Sequence, residues 1–166
     1  MRMSMRASIL IFMLSVTAEA QTPNQRHFQG YVFAGGGSIT PGNVYTYWHG
    51  PTITAGIGAE YIKANGMGIS GEAEGIIRKT YYGESRGTVL PSINLSYHFR
   101  NGEVNRKLVP FVTGGFTSFP GVNVGTGIQY WRSPRFAIRT EVRNHSLLGG
   151  DAILQVYEFR IGFAFR

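Results

Sequence analysis

The chain has no cysteine, and charged residues make up only 15% of its 166 positions, against roughly a quarter in an average soluble domain. Without cysteine there are no disulfide scaffolds, cysteine metal centres or thiol nucleophiles. Beyond the N-terminus no apolar run approaches the ~18 residues of a membrane-crossing helix. Helical periodicity is missing as well. The length suits one domain and excludes a multidomain enzyme. What the chain does hold is 23 glycines and 22 aromatics (Phe 11, Tyr 9, Trp 2), the reverse of the bias that keeps a chain disordered. Its formal net charge of +7 raises nucleic acid as a partner.

The first twenty residues argue against that partner. Arg2 and Arg6 precede an apolar block over 7–16, which is followed by Ala18-Glu19-Ala20 and Gln21. A basic start, a short apolar core and a small-x-small site predict a secretory signal peptide over 1–20. The domain then covers 21–166. Losing Arg2, Arg6 and Glu19 leaves 14 basic and 8 acidic residues, a net +6. Export makes nucleic acid and cytoplasmic nucleotide cofactors poor partners, and no cofactor is expected.

The remainder reads as eight alternating segments, 28–37, 52–62, 68–78, 89–99, 108–116, 122–131, 136–145 and 153–166. Each is about ten residues long, the ~9–11 needed by a tilted transmembrane strand. In the second, Ile53, Ala55, Ile57, Ala59 and Tyr61 alternate with Thr52, Thr54, Gly56, Gly58 and Glu60. In the eighth, Tyr157, Phe159, Ile161, Phe163 and Phe165 alternate with Glu158, Arg160, Gly162 and Ala164. The first and fifth segments are apolar on both faces.

A soluble, lipocalin-like barrel would turn the apolar face inward; a membrane barrel turns it to lipid. Composition favours the second. The polar faces are rich in glycine and small residues, as a narrow lumen filled by side chains requires. A water-facing outer surface carries more Lys and Glu. Aromatics gather at segment ends, where interface girdles belong. The fold class is therefore all-β, an eight-stranded antiparallel up-and-down transmembrane barrel. Asn65-Gly66, Asn101-Gly102 and Ser133-Pro134 mark three short periplasmic turns, with 38–51, 79–88, 117–121 and 146–152 facing outward. Pro91 and Pro110 each remove a ladder donor and are placed near segment ends.

The opening Gly30-Tyr31-Val32-Phe33-Ala34-Gly35-Gly36-Gly37 and the aromatic-alternating last segment resemble the OmpA/OmpX-like group of small outer-membrane barrels, over about 28–166. The resemblance implies residence in a bacterial outer membrane and contact with the barrel-insertion machinery, which in that group reads a terminal Phe. Here Phe165 is followed by Arg166.

Candidate chemistry is sparse. Gly66-Met67-Gly68-Ile69-Ser70-Gly71 matches GxGxxG, but a strand follows it where a dinucleotide site needs a helix. His27, His49, His98 and His145 show no metal-ligand spacing and read as isolated polar or interfacial residues. Alternation places Glu60, Glu72, Glu74, Glu141 and Glu158 in one lumen with Arg78, Arg139, Arg143 and Arg160. Confined charges must pair, so these predict a polar plug or, alternatively, a narrow gated ion pore. Tyr45, Tyr47, Trp48, Tyr81, Tyr82 and Arg86 form outer-loop contacts, either for recognition or for lipopolysaccharide phosphates. A lipid A-modifying enzyme is the least favoured reading. His145-Ser146-Leu147 departs from the His-x-Ser pattern of the deacylases. No catalytic or metal-binding residue is expected, and the role is structural or surface-directed, in a monomer.

Overall fold

The computed structural model of the chain describes residues 27–41, 50–79, 85–99, 107–118, 120–149 and 152–166. The predicted leader over 1–20 lies outside them. So do Tyr45, Tyr47, Trp48, His49, Tyr81, Tyr82, Asn101 and Gly102.

Eight strands follow one another: β1 His27–Pro41, β2 Gly50–Ile62, β3 Met67–Lys79, β4 Ser85–His98, β5 Leu108–Thr117, β6 Gly121–Ser133, β7 Phe136–Gly149 and β8 Ala152–Phe165. Each pairs antiparallel with its sequence neighbours, and β8 returns to β1, so the barrel is closed. Closure removes the unpaired edges that an open sheet would expose. Following register partners round the ring from Gly30, through Ala59, Gly71, Ile93, Phe116, Val122, Ser146 and Gln155, returns to β1 at Thr40, ten residues further along. A stagger of that size in eight strands corresponds to a tilt of ~40°, within the range seen for barrels.

The apolar face points outward. Ile53, Ile93, Phe116, Val124 and Phe159 are all more than half exposed. The soluble reading needed the inverse and is overturned. Phe28, Tyr61, Tyr97, Phe99, Tyr130, Phe136 and Phe163 are exposed and encircle the end that holds His27 and Phe165. The strands that looked ambiguous are resolved by the lumen's need for bulk. Tyr31 and Phe33 of β1 and Val109 and Phe111 of β5 point inward and are buried. Glycines opposite make room for them. A Cβ at Gly58 would lie 2.3 Å from Tyr31 Cζ, at Gly56 2.5 Å from Phe33 Cζ, and at Gly127 2.6 Å from Phe111 Cζ.

Turn chemistry sets the link between β2 and β3. Gly66 takes φ +89°, a left-handed conformation that favours glycine, and Asn65 Oδ1 accepts a hydrogen bond from the Met67 amide at 3.1 Å. The link from β4 to β5 is not a short turn: the strand bounds His98 and Leu108 leave it longer than any link at the opposite end. Pro91 also sits away from a strand end, in mid-β4. Its carbonyl accepts from the Ser118 amide at 2.9 Å, and that of Pro110 from the Phe99 amide at 2.9 Å. Both prolines thus flank the β4–β5 ladder, which runs only from Ser92–Thr117 to His98–Phe111. Their missing N–H groups fall where the neighbouring strand has ended.

Candidate functional site

The lumen holds a continuous polar column built by β2, β3, β4, β7 and β8, with Gln29 and Tyr31 from β1. Period-two alternation places its members. Glu72 and Glu74 are two apart on β3. Arg139, Glu141, Arg143 and His145 occupy alternate positions of β7, and Glu158 and Arg160 those of β8. All are 6% exposed or less.

Near the end that holds His27 and Phe165, Glu60 gathers four partners. Gln29 Nε2 donates to it at 2.7 Å, Ser96 Oγ donates to it, His98 Nε2 lies 2.9 Å away and Arg139 Nη1 3.4 Å away. Arg139 also reaches Glu141 at 3.1 Å. In mid-lumen Arg143 bridges Glu141 at 2.5 Å and Glu72 at 2.6 Å. Glu72 accepts from Tyr31 Oη at 2.6 Å and from Arg160 Nη1 at 3.1 Å. Toward the opposite end, Arg160 Nη2 lies 2.5 Å from Glu74 and also contacts Glu158. His145 Nε2 is 2.7 Å from Glu158. Aromatic rings line the cations: Arg139 stands over Phe111 and Tyr31 at 4.1 and 4.4 Å, and Arg160 over Phe33 at 4.4 Å. Buried charges need this degree of pairing to offset their lost hydration.

Apolar side chains seal both ends of the column. Ile39, Ile76, Leu90 and Val156 pack together at one end with Leu147 against them. Val109, Trp131 and Ala137 belong to the cluster at the other, where the Arg166 guanidinium stacks 3.7 Å over Trp131.

Eight of the nine lumen charges read from the sequence meet in this column. Arg78 does not. It shares the inner face of β3 but lies two residues beyond Ile76, outside the apolar seal, half-buried and opposite Arg86 in register. Arg86 belongs to β4 rather than to a loop, and it is exposed. Sequence reasoning missed His98 and His145 as column members. Their positions in the alternation carry the signal: His98 continues the Ser92, Asn94, Ser96 face, and His145 the Arg139, Glu141, Arg143 face. The column also includes Gln29 and Tyr31, hidden in the ambiguous first segment. The esterase arrangement does not form. His145 points inward to Glu158, whereas Ser146 lies on the outer face and donates to Gln155 Oε1 at 2.9 Å.

No protein-family model matches the chain, and no curated protein matches it in sequence. Solved structures do match in fold. Neisserial surface protein A is 16% identical, with a TM-score of 0.64 over 84% of this chain and 97% of its own. The attachment invasion locus protein Ail of Yersinia pestis, in complex with the heparin analogue sucrose octasulfate, is 13% identical, with a TM-score of 0.56 over 85% and 99%. A de novo designed transmembrane β-barrel is 21% identical, with a TM-score of 0.50 over 87% and 97%. The likeness is one of fold: this chain has the closed eight-stranded antiparallel architecture of the small outer-membrane barrels.

Proposed function

We propose that the protein is a monomeric outer-membrane barrel with a structural or surface-directed role, and that it is not an enzyme. One observation carries this reading: the barrel is inside out, with an apolar exterior and a charged, hydrogen-bonded interior. A band of exposed Ile, Val, Leu and Phe costs free energy in water and stabilises the barrel in lipid. Export by the leader and insertion by the assembly machinery would bring it there, with both termini in the periplasm. Arg78 and Arg86, side by side beyond the seal, then lie at the outer rim. Two adjacent guanidiniums suit phosphate groups of lipopolysaccharide or another polyanion. The polyanionic ligand of the Yersinia protein fits the same chemistry.

The test is fractionation followed by gel electrophoresis in SDS with and without boiling. We expect the protein in the outer-membrane fraction, with a band that shifts on heating. A soluble periplasmic protein with no shift refutes the reading. The alternative of a narrow pore gains nothing from the two apolar seals. In planar bilayers the wild-type barrel is expected to stay closed, and steady conductance would favour the pore instead.

A further inference from the structure

Carboxylates outnumber guanidiniums in the column. It contains five carboxylates (Glu60, Glu72, Glu74, Glu141, Glu158) and three guanidiniums (Arg139, Arg143, Arg160), all buried. Counting every carboxylate as charged and both imidazoles as neutral, it is short of two positive charges. The shortage is felt most at the end away from His27 and Phe165. There Glu74, Glu158 and His145 each offer one ligand atom, and the three atoms lie within 4.8 Å of one another. His145 Nε2 is 2.7 Å from Glu158 Oε1 and 3.5 Å from Glu74 Oε2. Two atoms each about 2.1 Å from a tetrahedral zinc ion stand ~3.4 Å apart, so these spacings need only small adjustment.

A single nitrogen sits among all three ligand atoms. Arg160 Nη2 contacts Glu74 Oε2 at 2.5 Å, Glu158 Oε1 and His145 Nε2 at 3.1 Å. Its two N–H groups face two carboxylate oxygens, with His145 Nε2, itself 2.7 Å from Glu158 Oε1, beside them. Glu74 Oε1 and Glu158 Oε2 are buried and accept no hydrogen bond from any described residue. Buried carboxylate oxygens left in this state are costly.

We propose that Glu74, Glu158 and His145 form a site for one divalent transition-metal ion, in a seat that the Arg160 guanidinium otherwise fills. Mixed carboxylate and imidazole ligands suit Zn²⁺ and its neighbours in the first transition row. The free carboxylate oxygens supply further ligands. On binding, the Arg160 guanidinium has to leave the seat, and it turns toward Glu72, which its Nη1 already meets at 3.1 Å. One divalent ion carries the two charges by which the carboxylates outnumber the guanidiniums. The site lies just below the Ile39, Ile76, Leu90 and Val156 seal, so the ion enters most readily as the barrel folds. This proposal does not depend on where the barrel resides or on its surface role.

The test uses the untagged chain in detergent micelles, stripped with a chelator. Zn²⁺ is titrated by calorimetry, and Co²⁺ by visible absorption, into the folded barrel and also into the chain before refolding. The expected result is one equivalent bound, at least tenfold weaker binding in His145→Gln and Glu158→Gln, and at least tenfold tighter binding in Arg160→Met. No binding to the wild type by either route overturns the proposal, even if Arg160→Met binds, because the guanidinium is then the permanent occupant. Binding unchanged by His145→Gln overturns it too. Should a variant lose its heat-shifted folded band, X-ray absorption of the zinc-loaded wild type decides. One imidazole with oxygen neighbours is expected, and a shell of oxygens alone refutes the site.

Discussion

Glu72 holds two guanidiniums and a phenol at once. Arg143 and Arg160 approach it at 2.6 and 3.1 Å, and Tyr31 donates from 2.6 Å. Removing one partner from a buried ion pair costs about 3–5 kcal/mol, because the remaining charge stays buried without compensation. Glu72→Gln is therefore expected to lower the unfolding free energy by that amount in urea titrations of micelle-bound protein, and an unchanged midpoint would count against the column as a stabilising unit. The acidic and arginine members were legible in the sequence because strict alternation assigned them one face. The histidines stand on the same alternating faces, but alternation does not give their partners. His98 meets Glu60, and His145 meets Glu158 and Glu74, only through the stagger of strands around the ring. No spacing along the chain encodes that meeting. Arg78 marks the opposite limit: alternation gave its face correctly but could not give its height relative to the seal.

Among the strands, the β4–β5 seam is the weakest. Its ladder has seven residue pairs, Ser92–Thr117 to His98–Phe111, and a proline stands at each end. The β7–β8 ladder runs from Phe136–Phe165 to Gly149–Ala152, twice as long. Amide exchange tracks local opening, so the β5 amides facing β4 are expected to exchange faster than those of β8 facing β7. Mass-spectrometric exchange in micelles measures the difference, and equal protection of both ladders would contradict it. The eight strands themselves were readable from alternation and turn residues, with ends that differ from the observed ones by up to four residues. The seam was not, because a proline in mid-strand is tolerated or not according to which neighbour it faces, and only register settles that.

For the molecule as a whole, the exterior is the solvent-facing surface of a lipid-soluble object. An arginine at the middle of the apolar band costs ~2–4 kcal/mol in such barrels, falling to ~0–1 near the interfaces. Ile93→Arg is expected to show the larger penalty in folding titrations into lipid bilayers. Ser38→Arg, on the exposed outer face toward the rim of β1, is expected to show the smaller. Equal penalties at both positions would place the band elsewhere. Orientation of the faces was legible from composition, since glycine and charge share the inner face. Loop length said less. The link between β4 and β5, on the side read as periplasmic, exceeds every one on the other.

Closure of β8 onto β1 bears on time as well as on stability. Gly30 pairs with Phe165, and that ring occupies the space a Cβ at Gly30 would need. The first strand therefore waits for the last. Among the described residues, the acids of β2 and β3 likewise find their guanidiniums only on β7 and β8. A half-made ring would hold carboxylates without counter-charges and two raw edges at once, so partial structures gain little. Pairings this distant along the chain slow the search for the native state. Such a chain remains unfolded, and vulnerable to proteases and to its own kind, until nearly all of it can commit together.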